Sequence, residues 1–165
     1  MSREVRRVPE NWEHPTNERG HKPLLGWAFS EDRDQWIEES KQWENGLESD
    51  FHGGWEPISG CHQGMTYADY AGEPPEPKDY MPEWDESELT HIMMYETCTE
   101  GTPISPAFKT PEELARWLAE NDASAFGSQT ATYEQWLAVC REGWAPSAVI
   151  DDNGLRSGVA ATSDL

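Results

Sequence analysis

Cations are scarce in this chain: twelve Lys and Arg stand against thirty-two Asp and Glu over 165 residues, a formal net charge of −20. Such a field repels nucleic acid and anionic membranes and attracts basic surfaces. Long apolar runs are missing too. No stretch of about 18 apolar residues is present to span a bilayer, and the N-terminus lacks the charged, then apolar, then small-residue order of a secretory signal. The sequence therefore reads as a soluble, unexported protein. Cysteine is limited to Cys61, Cys98 and Cys140, far apart and without a CxxC spacing. That usage fits a reducing cytoplasm better than a disulfide framework. Neither common glycine-rich phosphate loop occurs, and no internal repeat or low-complexity tract is evident.

The chemistry-bearing side chains are equally thin. His52, Cys61, His62 and His91 supply no pair of ligand doublets, and adjacent Cys61 and His62 are badly placed to share one ion, so no metal and no cofactor is expected. Cys61 beside His62 is the one pair with the ingredients of thiol catalysis. Adjacent side chains rarely face each other, however, and no oxyanion-hole signature accompanies them. Cys140 falls on an apolar helix stripe, where a thiol is ordinary packing. Among so many carboxylates some pair will always resemble a glycosidase dyad, which carries no information. A thiol- or metal-dependent hydrolase is therefore the third-ranked reading, and no catalytic residue is assigned.

What is present is clearest between residues 101 and 143. Thr110 as N-cap, Pro111 at the first helical position and Glu113 at the box position predict a helix over 111–120, with Leu114, Trp117 and Leu118 on one face. Thr132 and Gln135 repeat the signal for a helix over 133–142. There Tyr133, Trp136, Leu137 and Cys140 form the stripe, and Gly143 is the stop. Only 36% of residues are apolar and the mean hydropathy is −0.84, with nine tryptophans. The core must lean on a few large aromatic side chains.

The length fits a single domain spanning 1–165. Residues 1–30 read as extended segments joined by turns, with Arg3, Arg6 and Arg7 as a short basic start and Trp12 and Trp27 tying the segment to the body. Residues 31–46 read as an acidic helix capped by Ser30: Trp36, Trp43 and Leu47 share a narrow buried stripe, and Glu31, Asp34 and Glu38 lie almost opposite, with Glu39 at the edge. From 47 to 87 the chain becomes a Gly- and Pro-rich loop region. Its Trp55, Tyr67, Tyr70, Tyr80 and Trp84 read chiefly as anchors, with an exposed recognition surface as the alternative. Residues 88–98 read as an inner strand, and 147–159 as a hairpin turning at Asn153 and Gly154. The expected fold is α+β: a small antiparallel sheet built from 88–98 and the hairpin, covered by the two helices, inside an 88–160 core.

The strings GTPISPAFKTPEELARWLAENDASAFGSQTATYEQWL, PSAVI and SGV, with REVRRVPENWEHP and YAGEPPEPKDYMPEW nearer the N-terminus, resemble a family of uncharacterised proteins encoded in bacteriophages and bacterial prophages. The resemblance runs along almost the whole chain and brings no assigned activity or site residue. It implies a small protein made in the cytoplasm of a bacterial host. By analogy with other small acidic phage proteins, it also suggests an anti-CRISPR or anti-restriction inhibitor that occupies a basic nucleic-acid channel.

Charge is concentrated between residues 31 and 100, which carry nineteen Asp/Glu and three Lys/Arg. The expected partner is thus a host protein with a basic nucleic-acid-binding surface, not nucleic acid itself. The residues expected to meet it are Glu31, Asp34, Glu38, Glu39, Glu73, Glu76, Asp79, Glu83, Asp85 and Glu86. An accessory phage protein acting by self-association, or by attachment to virion or replication components, is the alternative.

Overall fold

The computed structural model describes residues 2–50, 52–97, 101–151 and 154–162. Its elements in chain order are β1 (Arg3–Val8), β2 (Thr16–Asn17), β3 (Gly20–His21), α1 (Phe29–Glu44), β4 (Leu47–Ser49), β5 (Trp55–Pro57), α2 (Tyr67–Ala71), a 3-10 turn at Pro77–Asp79, β6 (His91–Glu96), β7 (Thr102–Pro103), α3 (Pro111–Glu120), α4 (Tyr133–Glu142), β8 (Trp144–Ala145), β9 (Ala148–Asp151), β10 (Gly154–Ser157) and α5 (Gly158–Thr162). The fold is α+β. Two compact units divide the chain: residues 1–26 with 84–165, and residues 27–83.

In the first unit an antiparallel sheet has the order β7-β6-β1-β8. β6 is an inner strand, as its run of apolar residues predicts. Its neighbour, however, is β1, with Val5 opposite Met94 and Arg7 opposite Ile92. The hairpin expected to complete this sheet forms a separate two-stranded ribbon, β9 with β10. Its expected turn at Asn153, like Cys98, lies outside the described residues. The short basic start is thus a central strand. Its polar side chains are matched one by one: Arg3, fully buried, donates from Nε to Ser124 O at 2.9 Å and faces Glu96 at 3.8 Å.

Helices α3 and α4 have the predicted boundaries, and both capping boxes form. Thr110 accepts from the Glu113 N–H at 3.2 Å, and Thr132 from the Gln135 N–H at 3.3 Å, while each box side chain returns to the cap N–H. Gly143 ends α4 in the left-handed conformation at φ 88°, which a Cβ would disfavour. Together they cover one sheet face. The core there joins Met94 to Leu114, Ala115, Leu118, Trp136, Val139, Cys140 and Val159.

The opposite face is covered by the segment after β1. Tyr95, fully buried, has the Arg6 guanidinium 4.5 Å from its ring centroid, and its hydroxyl accepts from Trp12 Nε1 at 3.1 Å. Trp12 also meets Trp84 edge-on at 4.8 Å, so it does tie the N-terminal segment down. His14 has Nδ1 3.2 Å from the Tyr95 hydroxyl and Nε2 2.6 Å from the Lys22 carbonyl. One proton arrangement satisfies all three groups. Nε2–H donates to Lys22 O, and Tyr95 O–H donates to an unprotonated Nδ1.

Burial pushes the His14 pKa below its ordinary value of 6.5, against the pull of the Lys22 carbonyl, and the neighbouring His21 and Arg6 add to the lowering. A histidine held neutral takes up fewer protons than in the unfolded chain. Its contribution to stability is therefore complete above about pH 6.5 and is lost as pH falls through the lower native value. Denaturant titrations at pH 7.5 and 5.5 should show the wild type losing more stability over this interval than His14→Gln. Parallel losses would contradict the assignment.

The second unit begins with α1. Its N-cap is Ala28, two residues before the cap expected at Ser30, and Ala28 has no side chain able to cap. Ser30 instead lies inside the first turn, where its N–H and hydroxyl both donate to Glu83 Oε1 at 3.1 and 3.0 Å. A carboxylate from the far end of the unit takes the orphan donor, which the helix dipole also favours. β4 and β5 form a two-stranded ribbon after α1. The loop region expected over 47–87 thus contains regular structure, including α2, whose cap Thr66 and Asp69 make a full box.

Candidate functional site

Residues 27–83 hold fourteen Asp/Glu and three Lys/Arg, a net charge of −11 for about a third of the chain. Eight of the ten acidic residues expected at an interface fall in this unit, while Asp85 and Glu86 belong to the other. Along α1 the structure sorts them into two environments. Glu31, Asp34 and Glu38 point to solvent, as a stripe opposite Trp43 should. Asp34 pairs with Arg33 at 2.7 Å, and Glu38 accepts from Gln42 at 2.8 Å. Glu39 is half-buried and accepts from Gln35 at 2.9 Å and from the Tyr67 hydroxyl.

The loop acids are more varied. Glu73 is exposed after α2, and Glu76 is exposed and paired with Lys78. Asp79 is half-buried in the 3-10 turn. Glu83 is exposed but engaged at the start of α1. In the other unit Asp85 and Glu86 are exposed, and Glu86 pairs with Arg7. Of the acids expected at the interface, those of the 27–83 unit that face solvent without serving as a structural cap are thus Glu31, Asp34 and Glu38 on one helix face, with Glu73 and Glu76 after α2.

The aromatic residues of the same unit pack mainly as anchors. Tyr80 is buried, donates from its hydroxyl to Asp32 Oδ2 at 2.7 Å and packs edge-on to Phe29 at 5.4 Å. Burial first, and then the Asp32 carboxylate, push its pKa up to about 12. Trp43 stacks on Tyr70 with centroids 4.6 Å apart and meets Tyr67 at 5.8 Å, while its Nε1 donates to Met65 O at 3.0 Å. Trp36 lies edge-on to Tyr67 at 5.3 Å. Trp55 is the exception, at 40% exposed, as is Trp27 at 53%.

Beside this cluster opens a cleft of about 540 Å³ whose lining includes Glu39, Trp43, Glu48, Trp55, Tyr67 and Tyr70. Sequence reading placed Glu39 at an interface and named all four of these rings, but it did not assemble them. Glu48 was missed altogether. It is 8% exposed, and its Oε2 sits 2.7 Å from His62 Nδ1. The His62 bond first, helped by the Ser59 N–H and hydroxyl, lowers the Glu48 pKa and outweighs burial. A carboxylate in an aromatic niche is thereby kept ionised. The Tyr67 hydroxyl is raised above its ordinary range by burial and by Glu39, so it stays a donor.

His62 Nδ1 is occupied by Glu48 and by Ser59 Oγ at 2.9 Å, and exposed Cys61 has its sulfur 3.0 Å from that same Ser59 hydroxyl. The Ser59 hydroxyl thus lies against both the thiol and the imidazole. Cys140 is buried, and burial pushes its thiol up to about 12. No cluster of three metal-ligating side chains occurs among the described residues, and none of their helices is long and apolar enough to cross a membrane. The chain matches no family model, no curated protein and no solved structure.

Proposed function

We propose that the protein is a non-enzymatic binding protein that occupies the basic nucleic-acid-binding surface of another protein, its carboxylates standing in for phosphates. The observation that carries this reading is the solvent-facing row Glu31, Asp34 and Glu38 on α1, within a unit of net charge −11. Carboxylates three and four residues apart on a helix lie about 5–6 Å from one another and present a ladder of acceptors to Arg and Lys. In the phage setting that the sequence resemblance implies, the partner is a host defence nuclease. Mutual repulsion within the row costs the helix a few tenths of a kcal/mol per pair, partly offset by the helix dipole at Glu31 in the first turn.

The test replaces Glu31, Asp34, Glu38 and Glu73 together by Lys. Wild type and variant are immobilised and exposed to bacterial lysate at low salt, and bound proteins are eluted with a salt gradient. A nucleic-acid-binding protein should be retained by the wild type, displaced at moderate salt and competed off by duplex DNA or RNA. Its affinity for the variant should fall roughly tenfold or more. Equal retention by both, or retention indifferent to salt, would sink the proposal. Circular dichroism checks that the variant still folds.

A second reading has its own support. On the β9–β10 ribbon Ile150 is 82% exposed and Leu155, directly across from it, is 58% exposed. That apolar pair suits attachment to other protein chains, as an accessory role would require. Light scattering that finds a stable oligomer, abolished by Ile150→Lys, would favour it over the first.

A further inference from the structure

We infer that the cleft in the 27–83 unit is a binding site for an organic cation, an ammonium or guanidinium head group held against aromatic faces and two carboxylates. The inference stands apart from the reading above, since Glu31, Asp34 and Glu38 take no part in the lining. Four rings contribute: Trp43, Tyr67, Tyr70 and Trp55. Trp43 and Tyr70 lie nearly parallel, 25° apart, with Tyr67 tilted against both. Faces of this kind carry negative potential and attract cations most strongly when water is displaced. The exposed Trp55, on the short ribbon, supplies a ring that no internal packing explains.

The carboxylates decide the charge of the occupant. Glu39 and Glu48 both line the cleft, and among the described residues no lysine or arginine does. The donors on Glu39 among the described residues are neutral, Gln35 and the Tyr67 hydroxyl. Glu48 is held ionised by His62 and Ser59, from behind the lining. Anions are excluded by these two groups, and a neutral apolar molecule would strip the water from their remaining acceptor sites and replace it with no charge. An organic cation satisfies rings and carboxylates together. The volume of about 540 Å³ is that of a small-molecule pocket, larger than one head group. Gln35, Ser49, Gly53 and Gly54 also line the cleft.

The same head group could arrive on a free metabolite-sized molecule or on an arginine of a partner chain, and the experiment separates these sources. The full-length protein, ¹⁵N-labelled, is titrated at constant ionic strength with methylguanidinium, tetramethylammonium and, as neutral control, tert-butanol. The indole N–H signals of Trp43 and Trp55 should shift saturably with the cations only. Trp55→Ala, at an exposed position, and Glu39→Gln should each weaken cation binding roughly tenfold. An arginine-containing tripeptide, compared with its citrulline counterpart, then gives the source. Binding far tighter than methylguanidinium points to a partner side chain, and equal binding to a small molecule. Shifts no larger than those from tert-butanol, or cation binding untouched by both substitutions, would overturn the site. The four-lysine variant should bind the cations as the wild type does, so failure of the acidic-face reading leaves this result standing.

Discussion

Replacing Trp136 with Ala should cost about 3–5 kcal/mol of unfolding free energy, enough to leave a domain of ordinary stability partly unfolded at 37 °C. Trp136 is fully buried and is the largest side chain in the core between α3, α4 and the sheet. Its removal takes away both the transferred apolar surface and the contacts of the neighbours left lining the gap. A second substitution sharpens the expectation. The indole Nε1 is buried with no hydrogen-bond partner among the described residues, so the ring carries an uncompensated donor of about 1–3 kcal/mol. Trp136→Phe deletes that donor while keeping most of the ring. Its measured loss in a urea titration should therefore be well under half that of Trp136→Ala. A Phe variant as unstable as the Ala variant would mean that the fit of the whole indole, and not the volume removed or the unpaired donor, governs the site.

The helix around Trp136 was also the most legible part of the sequence. Thr132 and Gln135 act within one turn, and the stripe that follows repeats at helical spacing, so every signal is local. Even there Val139 was passed over, although it is fully buried, because it lies just outside the stripe of Tyr133, Trp136, Leu137 and Cys140, on the Trp136 side. β1 was hidden for the opposite reason. Its sequence REVRRV reads as a polar tail, and it is an inner strand only because Ser124, Glu96, Tyr95 and Leu24 each satisfy a specific arginine group. No alternation in six residues can announce partners so distant in the chain. The hairpin was placed correctly as a hairpin but assigned to the wrong sheet, since strand pairing is a non-local choice that local propensity leaves open.

The candidate site divides along the same line. That α1 has an acidic face was readable from 100° per residue, and Glu31, Asp34 and Glu38 do face solvent together. The cleft was not readable, because it draws on α1, on both strands of the short ribbon and on α2. A hint did exist in Thr66–Asp69, a short-range box that starts α2 and sets Tyr67 and Tyr70 one turn apart. Glu83 carries a different lesson. Composition counted it with the interface acids, whereas its carboxylate caps the helix that bears them.

Gly101→Ala should destabilise the first unit by at least about 3 kcal/mol, an effect out of proportion to one methyl group. Gly101 has φ +90°, and a Cβ there would stand 1.9 Å from the Leu24 carbonyl oxygen and 2.5 Å from Arg6 Nη1. Neither neighbour can yield. The Leu24 carbonyl is fixed as the acceptor of Arg6 Nη1 at 2.9 Å, and the Leu24 N–H donates to the Gly101 carbonyl at 3.1 Å. Arg6 itself is pinned by Glu4 at 2.8 Å and by the Tyr95 ring, and Gly26 leaves it room on another side, where a Cβ would come within 2.7 Å. The guanidinium is thus a planar plug in a slot cut by two glycines. The clash can be separated from the backbone cost by Gly127→Ala, since Gly127 has φ +56° with nothing within 4 Å of a Cβ. That variant should lose only about 1–2 kcal/mol. Equal losses from the two would show that backbone conformation, not the fit around Arg6, makes Gly101 indispensable.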